Sequence, residues 1–210
     1  MRCAYRMLAS LVVLALQGCA SSPATLVALP PPVAVERPDD DVASGPTILL
    51  RDVTLPGYLD SFPVVLGRAG GALVVSQNAE WAERLSQGVA RVLRDALSCR
   101  LGAGRALISG DGRIPDAELT IEFLSLDPLG DSLNLDARWF FSCAVRAQSS
   151  GGRTHLQVPL AGSMPESVAR ATTSALTRFA DEIIASVPCP RSASNRAAAT
   201  APNVSVRAMQ

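Results

Sequence analysis

The chain has 210 residues, with 19 lysines and arginines set against 19 aspartates and glutamates, and a single histidine. That balance argues against a polybasic nucleic-acid surface, and one imidazole excludes a histidine-based metal cluster. The length suits one ordinary domain once flanking segments are set aside.

The first of those segments is N-terminal. Arg2 and Arg6 flank the start of an apolar stretch, Met7 to Leu16, too short to cross a bilayer, and Leu16-Gln17-Gly18-Cys19 follows. This start resembles a bacterial lipoprotein signal over residues 1–18, with Gln17 its one atypical position. By that resemblance Cys19 becomes the mature N-terminus and carries a covalent lipid. A diacylated cysteine anchors a protein stably without a transmembrane helix. Ala20 stands where lipoproteins retained at the inner membrane often carry Asp, which implies the outer membrane, facing the periplasm.

Residues 19–46 contain Pro23, Pro30, Pro31, Pro32, Pro38 and Pro46 and the acidic run Asp39-Asp40-Asp41, which reads as solvated linker charge rather than a cation site. The segment is predicted to be a disordered tether, holding the domain about 30 Å from the membrane if it behaves as a coil. Residues 190–210, rich in Ala, Ser and Arg, are predicted to be a disordered tail, which leaves 47–189 as the folded domain.

Within the domain, Thr47 to Thr54, Phe62 to Gly67 and Ala72 to Ser76 suit strands, with Gly70-Gly71 as a turn. Asn78 is expected to cap a helix from Ala79, whose apolar stripe is Trp81, Leu85, Val89, Val92, Ala96 and Cys99 and whose end is Gly102. Ala117 to Phe123, Leu133 to Ala147 and Leu156 to Leu160 alternate apolar and polar residues. They predict an antiparallel meander turning at Pro128 to Asp131 and at Ser149 to Gly152. Ser163-Met164-Pro165-Glu166 fits a capping box ahead of a helix with Val168, Thr172, Ala175, Leu176, Phe179, Ile183 and Val187 on one face. The expected fold class is α+β: a mixed, largely antiparallel sheet with two helices packed on one face.

Cys99, Cys143 and Cys189 remain in the mature domain, and spacing alone does not pair them. If the first helix is a right-handed crossover, both helices run the same way and end together. That favours a Cys99–Cys189 bridge and leaves Cys143 a buried thiol.

Two stretches carry a family resemblance: Val53-Thr54-Leu55-Pro56-Gly57-Tyr58-Leu59-Asp60, and Asn78-Ala79-Glu80-Trp81-Ala82-Glu83-Arg84-Leu85. With the lipobox, Leu119 to Phe123 and Leu135 to Trp139, they resemble the ABC-type transport auxiliary lipoproteins of the PqiC/YmbA type, over roughly Thr47 to Val187. The resemblance implies a non-enzymatic component of an envelope lipid-transport system. Such a lipoprotein would dock the end of a periplasm-spanning MCE-domain partner, with homo-oligomerisation possible and no cofactor beyond the lipid on Cys19.

The residues themselves contain no catalytic constellation: His155 lies on the polar face of its strand, and the glycine pairs lack phosphate-loop spacing. Pro56 to Leu59 could present Tyr58 and Leu59 to a partner, with a packing role equally open. Trp81, at the head of an apolar stripe, reads first as a core or staple residue. Alternatives are a stand-alone periplasmic lipid carrier and a structural envelope lipoprotein.

Overall fold

The computed structural model describes residues 23–33, 46–143 and 147–186. The class is α+β with two helices, as expected, but the strands divide between two sheets instead of forming one. The larger sheet is built from β2 (Ile48–Thr54), β5 (Ala106–Ile108), β6 (Ala117–Leu129), β7 (Ser132–Cys143) and β8 (Gln148–Pro159), in the order β5-β2-β6-β7-β8. Strand β2 is parallel to both neighbours, whereas β6, β7 and β8 form the antiparallel meander. The smaller sheet orders β1 (Thr25–Val27), β4 (Ala72–Trp81) and β3 (Pro63–Ala69) as β1-β4-β3.

Alternation explains how the larger sheet packs. Ala117, Leu119, Ile121 and Phe123 of β6 are buried, while Glu118 and Glu122 on the other face pair with Arg51 and Arg138. Helices α1 (Leu85–Leu101) and α2 (Pro165–Ser186) cover the apolar face. Phe179 meets Phe123 edge to face with ring centres 5.8 Å apart. Between Phe123 and Ser125 a bulge inserts one residue into β6. It reverses the parity, so Leu126 faces the core and Asp127 the opposite side.

Both helices run in the same direction. Arg91 of α1 donates to the carbonyl of Leu29 (3.2 Å) and Thr173 of α2 to that of Pro30 (2.9 Å); farther along, Arg100 pairs with Asp181. Their C-terminal ends therefore lie together, as expected. The Cys99–Cys189 pairing does not follow from this: Cys99 is a free, half-buried thiol, and the disulfide is at Cys143, with a partner outside the described residues. The register aligns Ile48 with Ala106 and Ala117, and Ala117 with Cys143. Cys143 thus stands at the sheet end where α1 hands over to β5, so proximity favoured neither cysteine.

Three local expectations are corrected. Residues 23–33, assigned to the tether, belong to the fold: β1 adds to β4 in parallel, and Val27 and Leu29 are buried. Asn78 to Trp81 extend β4 instead of opening the helix, because Ala79, Glu80 and Trp81 pair with Thr25, Leu26 and Val27; α1 starts at Leu85. Ser149 to Gly152 lie within β8 and not in a turn, since Gly152 fits beneath the indole of Trp139. Gly70 and Gly71 do form the β3–β4 turn, both at positive φ. The signal, Cys19, Cys189, Asp39 to Asp41 and the tail lie outside the described residues.

Candidate functional site

Pro56 to Asp60 form a single tight turn, in which Pro56 O accepts from Leu59 N at 2.9 Å and from Asp60 N at 3.3 Å. The proline presets the backbone for this helical turn, and the turn aims three side chains in different directions. Leu59 is only 2% exposed and enters the core. Asp60 Oδ1 accepts the amide of Ser86 at 3.1 Å, capping α1, whose own preceding residue, Arg84, provides no side-chain cap. Arg84 closes the arrangement by donating to the Asp60 carbonyl at 3.2 Å.

Tyr58 points the third way. Its hydroxyl donates to Asp127 Oδ2 at 3.2 Å, and Arg68 from β3 donates its Nε to the same oxygen at 2.9 Å. The Arg68 guanidinium also lies 4.8 Å from the Tyr58 ring centre. Burial, and then the Asp127 charge, raises the Tyr58 hydroxyl above its ordinary value; hydrogen bonding to Asp127 raises that of Arg68. Asp127, almost wholly buried, thus fastens the smaller sheet to the larger one. Trp81 is 4% exposed and its amide donates to Phe62 O at 2.7 Å, holding the end of β4.

Of the four motif residues singled out for partner contact, Leu59 and Trp81 are core residues, and Pro56 and Tyr58 are half-buried. The motif is a joint between helix α1 and the two sheets. Arg68 and Asp127 complete it and were not foreseen, because nothing in the local pattern around Asp127 announces the bulge that turns it. His155 is exposed beside Asp136, and among the described residues no cluster of His, Cys, Asp or Glu could hold a metal.

A second feature is a groove of about 480 Å³ between the arm at Pro30 to Val33 and helix α2. Thr173, Arg170 and Arg178 line one wall and Arg100 its floor. Arg100 is held by Asp181, whose hydrogen bond raises its already high value further. Arg170 and Arg178 donate to neutral oxygens, Ser167 Oγ and Gln157 O, both at 3.2 Å.

A family model described as the ABC-type transport auxiliary lipoprotein component matches residues 28–184. The chain belongs to that family. Its auxiliary role in ABC-type transport and its membrane association as a lipoprotein come with the family, and no helix among the described residues is long and apolar enough to cross a membrane. The match begins at residue 28, inside the arm that the fold absorbs. Two crystal structures share the fold. One, of an uncharacterized protein, has a TM-score of 0.62 at 15% identity, covering 80% of this chain and all of the other. The second, of a protein from Xanthomonas campestris, has a TM-score of 0.59 at 18% identity, covering 77% of this chain and 93% of the other. No curated protein matches the sequence.

Proposed function

We propose that this protein is an outer-membrane-anchored accessory lipoprotein of an MCE-type intermembrane transport system for lipids or other hydrophobic molecules. In this reading it is tethered through lipid on Cys19 and docks the periplasm-spanning MCE component without catalysing a reaction. The observation that carries the reading is the family match, which covers β2 to β8 and nearly all of both helices and lies behind a lipoprotein-like start. The packing supports a docking module over a stand-alone carrier. The helix faces that could cradle an acyl chain are occupied by the core: Leu93, Leu97, Leu176, Phe179 and Ile183 are buried in the interface of the helices with the sheet.

The test is crosslinking of the full-length lipidated protein in intact cells, with captured partners identified by mass spectrometry after the two membranes are separated. An MCE-domain protein captured in the outer-membrane fraction is the expected result. Capture of only self-adducts or cell-wall components would overturn the accessory role and favour the structural alternative. A tightly held lipid after native extraction, with no MCE partner, would favour the carrier.

A further inference from the structure

The arm at residues 23–33 changes how close the domain lies to the membrane. Strand β1 is parallel to β4 with Thr25 beside Ala79, so the chain enters the smaller sheet from the side on which the β3–β4 hairpin projects. From the Ala79 level to the turn at Ala72 the hairpin extends roughly 23 Å at about 3.3 Å per residue. The six residues from Cys19 to Thr25 span at most about 21 Å when fully extended. A lipid on Cys19 can therefore be level with the hairpin tip but hardly beyond it. A domain hanging with this end toward the bilayer has its hairpin at the lipid surface.

The hairpin has the chemistry for that surface. From Ser61 to Ala79 the sequence holds no acidic residue and only one basic residue, Arg68. Leu73 and Val74, next to the turn, stand 36% and 43% exposed on it. Arg68 is already held against Asp127, two residues before Leu129, the exposed last residue of β6. Apolar side chains on a hairpin whose one acidic residue, Glu80, is at the base far from the tip suit the interfacial layer, where apolar area and absence of negative charge both favour binding.

We infer that the β3–β4 hairpin is a second membrane contact, seating Leu73 and Val74 in the lipid surface beside the acylated Cys19. The inference rests on the reading of Cys19 as the lipid anchor. The domain then stands with the hairpin down, and the opposite end of the larger sheet, with Ile114 and Cys143, faces away from the bilayer.

The experiment uses the full-length chain purified with its lipid and reconstituted into phosphatidylethanolamine and phosphatidylglycerol vesicles, with and without brominated acyl chains. Leu73→Trp and Val74→Trp report on the hairpin, Ile114→Trp on the far end, and the parent chain supplies the background of Trp81 and Trp139. Mass analysis of the N-terminal peptide reports acylation of Cys19 separately. Expected are a blue shift and loss of emission in brominated vesicles for the hairpin variants, with Ile114→Trp indifferent to bromine. Hairpin emission indifferent to bromine in acylated, vesicle-bound protein would overturn the inference while leaving the anchor intact. A blue shift appearing in detergent without vesicles, and growing with protein concentration, would overturn it in favour of a contact between copies. An unmodified Cys19 would remove the anchor and the inference together.

Discussion

A methyl group added at Gly152 would sit 2.7 Å from Cζ2 and 2.9 Å from Cε2 of Trp139, closer than real contacts allow. Trp139 is on the helix-covered side of β7, so the ring cannot retreat freely, and Gly152→Ala is expected to cost about 1–3 kcal/mol, as overpacking does. At Gly57 the same methyl meets nothing within 4 Å, and Gly57→Ala is expected to be close to neutral. Urea unfolding of the two variants compares them directly; equal midpoints would show that the indole moves aside at no cost. Asp136 offers a residue-scale test in pH. Its hydrogen bond from Arg153 (Nε to Oδ1, 2.8 Å) holds its carboxyl below the ordinary range. A carboxylate lowered in the folded state contributes stability that is complete above its ordinary value and is lost as pH falls through its lowered one. The parent should therefore lose stability more steeply than Arg153→Gln below about pH 4, with the gap between them constant above about pH 5. Parallel acid branches for the two proteins would show that this pair carries none of the acid sensitivity.

Helix α1 takes its cap from a distant turn, and this sets how much of each element was legible. The meander and α2 were readable because period-two alternation in Ala117 to Phe123 and the stripe from Val168 to Ile183 are local patterns that tertiary packing reinforces. The start of α1 was not, since Asn78 has the chemistry of a cap. What overrides it is pairing of Ala79 to Trp81 with Thr25 to Val27, more than fifty residues away, which no local pattern records. Strands β1 and β5, three residues each, exist only through such parallel partners. In the candidate site the Pro56 to Asp60 motif was visible, but its role was not: only the fold shows Leu59 entering the core and Asp60 reaching Ser86. Asp60→Ala removes that cap and is expected to destabilise by about 0.5–2 kcal/mol, whereas Asp60→Asn, which keeps an acceptor, should recover most of the loss. Chemical denaturation of both variants is the measurement, with helical circular dichroism as the signal. An Asp60→Asn variant no better than Asp60→Ala would mean that the Arg84 side of the joint, not the cap, carries the effect.

At the scale of the molecule, the arm from Pro23 to Val33 is the piece that joins everything else. It adds a strand to the smaller sheet and lends backbone carbonyls to Arg91 on α1 and Thr173 on α2. Leu29 also packs against Gly88, where a methyl would meet its Cδ1 at 3.3 Å. Proline content suggested a tether here, since Pro30, Pro31 and Pro32 cannot donate to a ladder. Yet a proline still offers its carbonyl, and Pro30 uses it to accept from Thr173. If the arm is structural, truncating Leu29, which is 4% exposed, should be felt as a core deletion: Leu29→Ala is expected to cost about 2–5 kcal/mol. Val33→Ala, four residues on and 84% exposed, should change little. The comparison is made by urea unfolding of the mature chain carrying Trp139→Phe, monitored both by helical signal and by the emission of Trp81, which lies beside Val27 in the arm's sheet. Coincident transitions at a lower midpoint for Leu29→Ala would mean that arm, sheets and helices unfold as one unit. An unchanged midpoint would return the arm to the role of a tether, and with it the distance between domain and membrane.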